Sequence, residues 1–275
     1  MDSKVIYDAF YLFAAILFIL GVKLMAHPRT ARRGNMLGIL GMTIAIVISI
    51  MKANKQLEFM VPFTLFVIGL CCAIGILFGG ILATRVKMTE MPQLVAVFNG
   101  IGGLASVLVA GAALIVAIDI SVDEKIATAL SGFIGSITFI GSAVAAGKLQ
   151  ELKFFKKGFP LPSFLRHILN LALVCGCGWA GYSLLTATSD HAVLLYVAIC
   201  GLGFILGYTL TAPIGGADMP VVIALLNSFS GLAASATGFV IGSNILIIAG
   251  SLVGASGIIL TSLMCVAMNR SLLSV

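Results

Sequence analysis

Two asparagines, Asn99 and Asn227, stand inside long apolar runs, each eight residues past a Met-Pro pair that opens at Met91 or Met219. Eight residues of helix cover about 12 Å, which puts both amides deep in whatever layer those runs cross. A buried amide needs a hydrogen-bond partner from another helix or from water. It is either glue between helices or part of a polar, water-holding conduit, and two copies at one depth favour the conduit. Ser142, six residues before Lys148, lies about 9 Å along its own run and can join that line. Taken alone, such a serine more often bonds back to its own helix. Glu90 and Asp218 each precede a Met-Pro pair. There a carboxylate meets free N–H groups and the positive end of a helix dipole. No Asp, Glu or Lys sits mid-run, and His27, His167 and His191 all lie outside the run centres. Such a set supports conduction along neutral hydrogen-bonding groups, with any titratable group on water or on another subunit.

The elements that position these groups follow from composition. Of 275 residues, 60% are hydrophobic and 9% charged, and the mean hydropathy is +1.18. Soluble domains carry roughly a quarter charged residues, so this chain cannot cover a water-facing surface. Unbroken apolar runs of about 20 residues fit a hydrocarbon core of about 30 Å, and lipid requires every backbone group to be paired within the segment. The expected fold is all-α: a polytopic membrane protein with nine transmembrane helices in one tightly packed bundle. The spans are expected at 5–25, 34–51, 59–82, 92–118, 126–146, 168–185, 192–210, 220–241 and 245–268. Glycines four apart suit close helix crossings: Gly34/Gly38, Gly75/Gly79, Gly203/Gly207, Gly238/Gly242 and Gly250/Gly254. All six cysteines fall in apolar runs and read as small packing residues. Cys175 and Cys177 lack metal-ligand spacing, so no metal is expected.

The net charge of +6 does not point to nucleic acid, because the sixteen Lys and Arg cluster between the spans. Twelve fall on one side, among them Arg32, Arg85, Lys148, Arg166 and Arg270. Only Lys4, Lys52, Lys55 and Lys125 fall on the other. The positive-inside rule makes the first side cytoplasmic, with the N-terminus outside and the C-terminus inside. The longest loop there carries Lys153-Phe-Phe-Lys-Lys157, either an interfacial basic linker or a docking segment.

The two Asn runs also align with each other. Met91-Pro-Gln-Leu-Val-Ala-Val-Phe-Asn-Gly-Ile-Gly-Gly-Leu-Ala-Ser106 matches Met219-Pro-Val-Val-Ile-Ala-Leu-Leu-Asn-Ser-Phe-Ser-Gly-Leu-Ala-Ala234 without gaps, identical at seven of sixteen positions. The copies open the fourth and eighth spans, so they predict an internal parallel repeat, a device that transporters use to build a midplane site.

Met88-Thr-Glu-Met-Pro-Gln-Leu-Val95, Thr138-Phe-Ile-Gly-Ser142, Gly147-Lys-Leu149, Ile214-Gly-Gly-Ala-Asp-Met-Pro-Val-Val222, Leu226-Asn-Ser-Phe-Ser-Gly231 and Met268-Asn-Arg-Ser271 carry a resemblance over the whole chain. They resemble the membrane domain of the β subunit of proton-translocating NAD(P)+ transhydrogenase. The resemblance implies an integral protein of a bacterial inner membrane, working in an assembly that moves hydride from NADH to NADP+ as protons run inward. It implies partners as well: α subunits, a soluble NADP(H)-binding domain and a dimer of protomers. On it, Asn227, Ser142 and Gly257 match positions tied to proton conduction. Asp218 and Arg270 match positions that couple the channel to the NADP(H) domain, and Glu90 is placed with them as the repeat mate of Asp218. Many members of the family carry a histidine where this chain has Asn99, so the protonated group is expected on a partner helix. The chain reaches Val275 with no strand–glycine-turn–helix unit. It is expected to be an excised domain or a split-gene product that binds no cofactor and catalyses nothing alone; NADP(H) and NAD(H) belong to the assembled enzyme. A secondary transporter built on the parallel repeat is the alternative, though that class usually carries charged coupling residues or broken helices at mid-membrane.

Overall fold

A computed structural model describes residues 3–56, 61–116, 120–152, 155, 161–187 and 189–272. The chain divides into two compact units, Met1–Val86 and Lys87–Val275. Among the described residues there is no strand, and nine helices are long and apolar enough to cross a membrane.

The first unit holds α1 (Ser3–Met25), α2 (Ala31–Gln56) and α3 (Val61–Arg85). α1 and α2 form a hairpin that crosses closely at glycines. A Cβ on Gly21 would stand 3.0 Å from the Gly34 carbonyl oxygen, and one on Gly41 would stand 3.2 Å from that of Ala14. Thr30 closes the turn by donating to the Leu24 carbonyl at 2.6 Å. α3 buries none of its described side chains, and a Cβ on Gly75 or Gly79 would meet nothing, so that glycine pair is not a helix contact within the unit.

The second unit holds α4 (Met91–Val116), α5 (Val122–Leu149), α6 (Ser163–Thr186), α7 (Ser189–Thr211), α8 (Met219–Val240) and α9 (Asn244–Ala267). α5 is the axle: it packs on α4, α7 and α8 and is the most buried of the nine. Small residues make this possible. At the α4–α5 crossing a Cβ on Gly103 would lie 2.8 Å from the Gly135 carbonyl oxygen, and one on Gly135 would lie 2.7 Å from that of Gly103. Gly203 and Gly207 bring α7 against Ser136 and Ile137 of α5 in the same way. α8 and α9 form a hairpin turned by Gly242 at φ +64, a conformation that only glycine adopts cheaply.

Each helix overlaps one expected span, but the helices run past the hydropathy limits by up to five residues. α5 starts at Val122 rather than 126 because Ser121 and Glu124 form a capping box: the Ser121 N–H donates to Glu124 Oε2 at 2.9 Å and the Glu124 N–H to Ser121 Oγ at 3.3 Å. Hydropathy falls where charge begins, whereas backbone pairing continues through the charged turn. Residues 117 and 118 of the expected fourth span lie outside the described residues, as do Lys153, Lys156 and Lys157 of the basic loop; Phe155 rests on Gly147. The cysteines divide: Cys177, Cys200 and Cys265 are buried packing residues, while Cys71, Cys72 and Cys175 sit on exposed helix surfaces.

The repeat is visible in the backbone. Each copy begins with a single 3-10 turn, Met88–Glu90 or Gly216–Asp218, that leads without a break into α4 or α8. The residues just before these turns match closely, with Lys87 at φ −70, ψ 153 and Gly215 at φ −68, ψ 152. α4 and α8 run parallel to each other and antiparallel to α5. At one end Gln93 of α4 bonds Leu149, and Met219 of α8 packs on Ala145 and Ala146; at the other, Ser106 and Thr237 both bond Ser131.

Candidate functional site: a polar seam between three helices

Polar groups occur at three levels along the contact of α4, α5 and α8. The α5 side is a stripe of hydroxyls, Thr128, Ser131, Thr138 and Ser142, all buried to within 1% of full enclosure. Spacings of three, seven and four residues put them on one helix face over about 21 Å, most of a hydrocarbon core.

At the middle level the Asn99 amide donates through Nδ2 to Ser142 Oγ at 2.9 Å, in a site where Asn99 is 8% exposed and Ser142 not at all. Gly100, next to Asn99, makes the approach possible; a Cβ there would lie 3.2 Å from that of Ser142. Ser230 of α8 donates to the Asn99 carbonyl at 3.1 Å, so three helices meet at one residue. Asn99 Oδ1 and the buried Ser228 Oγ have no hydrogen-bond partner among the described residues. Buried polar atoms are rarely left so, and these two suit a donor from water or from a neighbouring subunit. Gly257 of α9 lies against Ser228, where a Cβ would come within 2.8 Å of the Ser228 backbone nitrogen.

Asn227 is placed differently from its repeat mate. It is half-buried, and among the described residues its amide makes no hydrogen bond to Asn99 or Ser142. A helix turns about 100° per residue. On α8 it is Ser230 that reaches Asn99, Ser228 lies on the face turned to Gly257 of α9, and Asn227 stands between these two directions.

A deeper level joins Ser131 Oγ to Thr237 Oγ1 at 2.7 Å and to the Ser106 carbonyl at 3.2 Å. Sequence reasoning missed Ser131, Thr237, Ser228 and Ser230. The signal was present as hydroxyls three, four and seven apart along the fifth span.

The third level is the end of the bundle that carries Lys148, Asp218 and Arg270. Arg270 Nη1 donates to Asp218 Oδ2 at 2.7 Å, with side chains 50% and 14% exposed. Asp218 sits at the N-cap of α8, yet its carboxylate makes no capping bond; it turns to Arg270 instead. Glu90, the matching residue of the first copy, is exposed. Lys148 Nζ donates to the carbonyls of Ala212 and of Ile214, the latter at 2.6 Å, in the loop that leads to Asp218. All the side chains in the middle and deep levels are neutral. They hydrogen-bond within each level, with Thr138 between the levels bonded to its own helix, and none of them gains or loses a proton near neutral pH. In the glycine-rich stretch 100–103, Gly100 and Gly103 are packed against Ser142 and Thr138 and serve the helix crossing.

The fold and seam together define a polytopic helical membrane protein with a buried polar line through a parallel-repeat core. The sequence profile of the NAD(P) transhydrogenase beta subunit family matches residues 7–275. Two sequences named NAD(P) transhydrogenase subunit beta, both from Rhodospirillum rubrum, are 41% identical to it over 97% of this chain and 56% of their own length. The chain belongs to the NAD(P) transhydrogenase beta subunit family. It spans about half the length of the curated relatives it matches.

Proposed function

We propose that the chain is the proton-conducting membrane arm of a nicotinamide nucleotide transhydrogenase. In that assembly NADH gives a hydride to NADP+, yielding NAD+ and NADPH, on soluble nucleotide-binding domains. Protons move inward along the seam as the hydride is transferred. The nine spans act as one arm, with the N-terminus outside and the C-terminus, Asp218 and Arg270 on the cytoplasmic side, where the NADP(H) domain docks. The α subunits contribute the titratable group. Asn99, Ser142 and Asn227 carry the path together with Ser230, with Gly257 holding α9 close enough to seal it.

The observation that carries this reading is the Asn99–Ser142 bond, with Asn99 Oδ1 left as a buried acceptor beside it. A buried acceptor of this kind calls for a donor from outside the chain, and water in a conduit supplies one. Family membership adds support, since the name of the relatives is that of a transhydrogenase subunit.

The test is reconstitution of the chain with its partner subunits in sealed vesicles. NADPH-dependent reduction of an NAD analogue should acidify or alkalinise the lumen in step with turnover. Hydride transfer with no proton movement in sealed vesicles would sink the reading. A substrate gradient driving transport by the chain without nucleotides would favour the transporter alternative.

A further inference from the structure

The loop from α7 to α8 is held at two points in different ways. Ile214 is held by Lys148 of α5 through its carbonyl, and Met219 is fully buried against Ala96 of α4 and Ala145 and Ala146 of α5. Between them lie Gly215 and Gly216, both exposed, where an added Cβ would meet nothing, and then Asp218. Ile214 is tied to α5 by a directional hydrogen bond, whereas Met219, the first residue of α8, meets α5 through apolar packing alone, so a movement of α5 along its axis shifts Ile214 relative to Met219. The two glycines absorb the difference, and the Asp218 carboxylate changes its aim.

Helix capping is the simpler use for a lysine here, since the carbonyls at a helix C-terminus lack partners and attract a cation. Capping α7, which ends at Thr211, explains the bond to Ala212. It does not explain the second bond, to Ile214, which lies beyond the helix and fixes the root of the glycine pair. Lys125, at the other end of α5, shows the capping form alone: it donates to the carbonyls of Leu185 and Ala187, on either side of Thr186, the last residue of α6.

We propose that Lys148 is a positioning residue that ties the Asn99–Ser142 bond to the loop bearing Asp218. A rearrangement at Ser142 displaces α5, and Lys148, six residues further along the same rigid helix, passes that displacement to Ile214, the glycine pair and the Asp218–Arg270 pair. This rests on the proposed function for its meaning, because the moving loop is the one that faces the NADP(H) domain in that reading. The mechanical link itself does not depend on it.

The experiment uses the assembled enzyme with Lys148→Met, Lys148→Arg and Ser142→Ala, alone and with Lys148→Met. Amide hydrogen exchange is followed over residues 214–218, beside proton movement per hydride transferred. Losing a charge-assisted bond is expected to speed exchange in Lys148→Met about tenfold and to lower the proton-to-hydride ratio several-fold. Lys148→Arg, which keeps the donors, should stay near the parent in both. Ser142→Ala should alter exchange in the loop only while Lys148 is present. The proposal is overturned if loop exchange in Lys148→Met matches the parent, or if Ser142→Ala perturbs the loop equally with and without Lys148. It also falls if exchange rises while the proton-to-hydride ratio of a pumping enzyme is unchanged, which would leave Lys148 a plain cap. A parent enzyme that transfers hydride without moving protons sinks the proposed function instead, and the exchange arms then decide the link by themselves. If Lys148→Met fails to assemble, Lys148→Gln replaces it with the same criteria.

Discussion

Asp218 and Arg270 close the open end of the α8–α9 hairpin, meeting at 2.7 Å across 52 residues of chain, while Gly242 turns its other end. Each charge also sits where a helix dipole favours it, the carboxylate at the start of α8 and the guanidinium just past the end of α9.

A half-exposed ion pair contributes about 0–1 kcal/mol, so Asp218→Asn should change thermal stability little. In the assembled enzyme the same change should lower coupled turnover about tenfold, within the 5–150-fold span of ordinary coupling energies. Expression and membrane insertion should match the parent. Turnover and pumping at the parent level would reduce the pair to a hairpin clasp.

At the seam, Ser142→Ala removes the acceptor of a buried amide and should cost about 1–3 kcal/mol. Asn99→Ala should cost a similar amount, and the double variant distinctly less than the sum, because the two residues share one bond. Chemical unfolding in detergent measures all three. Strict additivity would show that the bond does not form in the membrane protein.

Gly257→Ala must push α9 off Ser228, where the added carbon has backbone rather than a flexible side chain to displace. Overpacking of this kind costs about 1–3 kcal/mol and should also depress proton-coupled turnover. Gly102→Ala is the control, since a Cβ there meets nothing, and it should be near neutral. Equal effects from the two substitutions would mean that α8 and α9 do not cross so closely.

Topology follows from the charge split of twelve against four. A reporter fused after Val275 should be active only in the cytoplasm, and one placed before Met1 only outside. Both on one side would contradict nine crossings.

The number, order and type of the helices could be read from the sequence, because lipid leaves an apolar run of 20 residues few alternatives to a helix. The Met-Pro repeat could be read too, and the matching 3-10 turns at Met88–Glu90 and Gly216–Asp218 are its backbone counterpart. Asn99 and Ser142 were legible as polar residues at depth, because the cost of burying an amide does not depend on which helix answers it. Which residue answers it was not legible. Asn99 and Asn227 hold the same place in the repeat, yet Asn99 bonds Ser142, and the α8 side chain that reaches Asn99 is Ser230, three residues past Asn227. Likewise Lys148 counted in the sequence only as one of twelve charges on a side; its bonds to Ala212 and Ile214 exist because α5 and the α7–α8 loop end at the same level. Partition into lipid is a property of each segment and is written locally. The rotation of each helix is set by where glycines such as Gly103, Gly135 and Gly257 let two backbones touch, and that takes both surfaces at once.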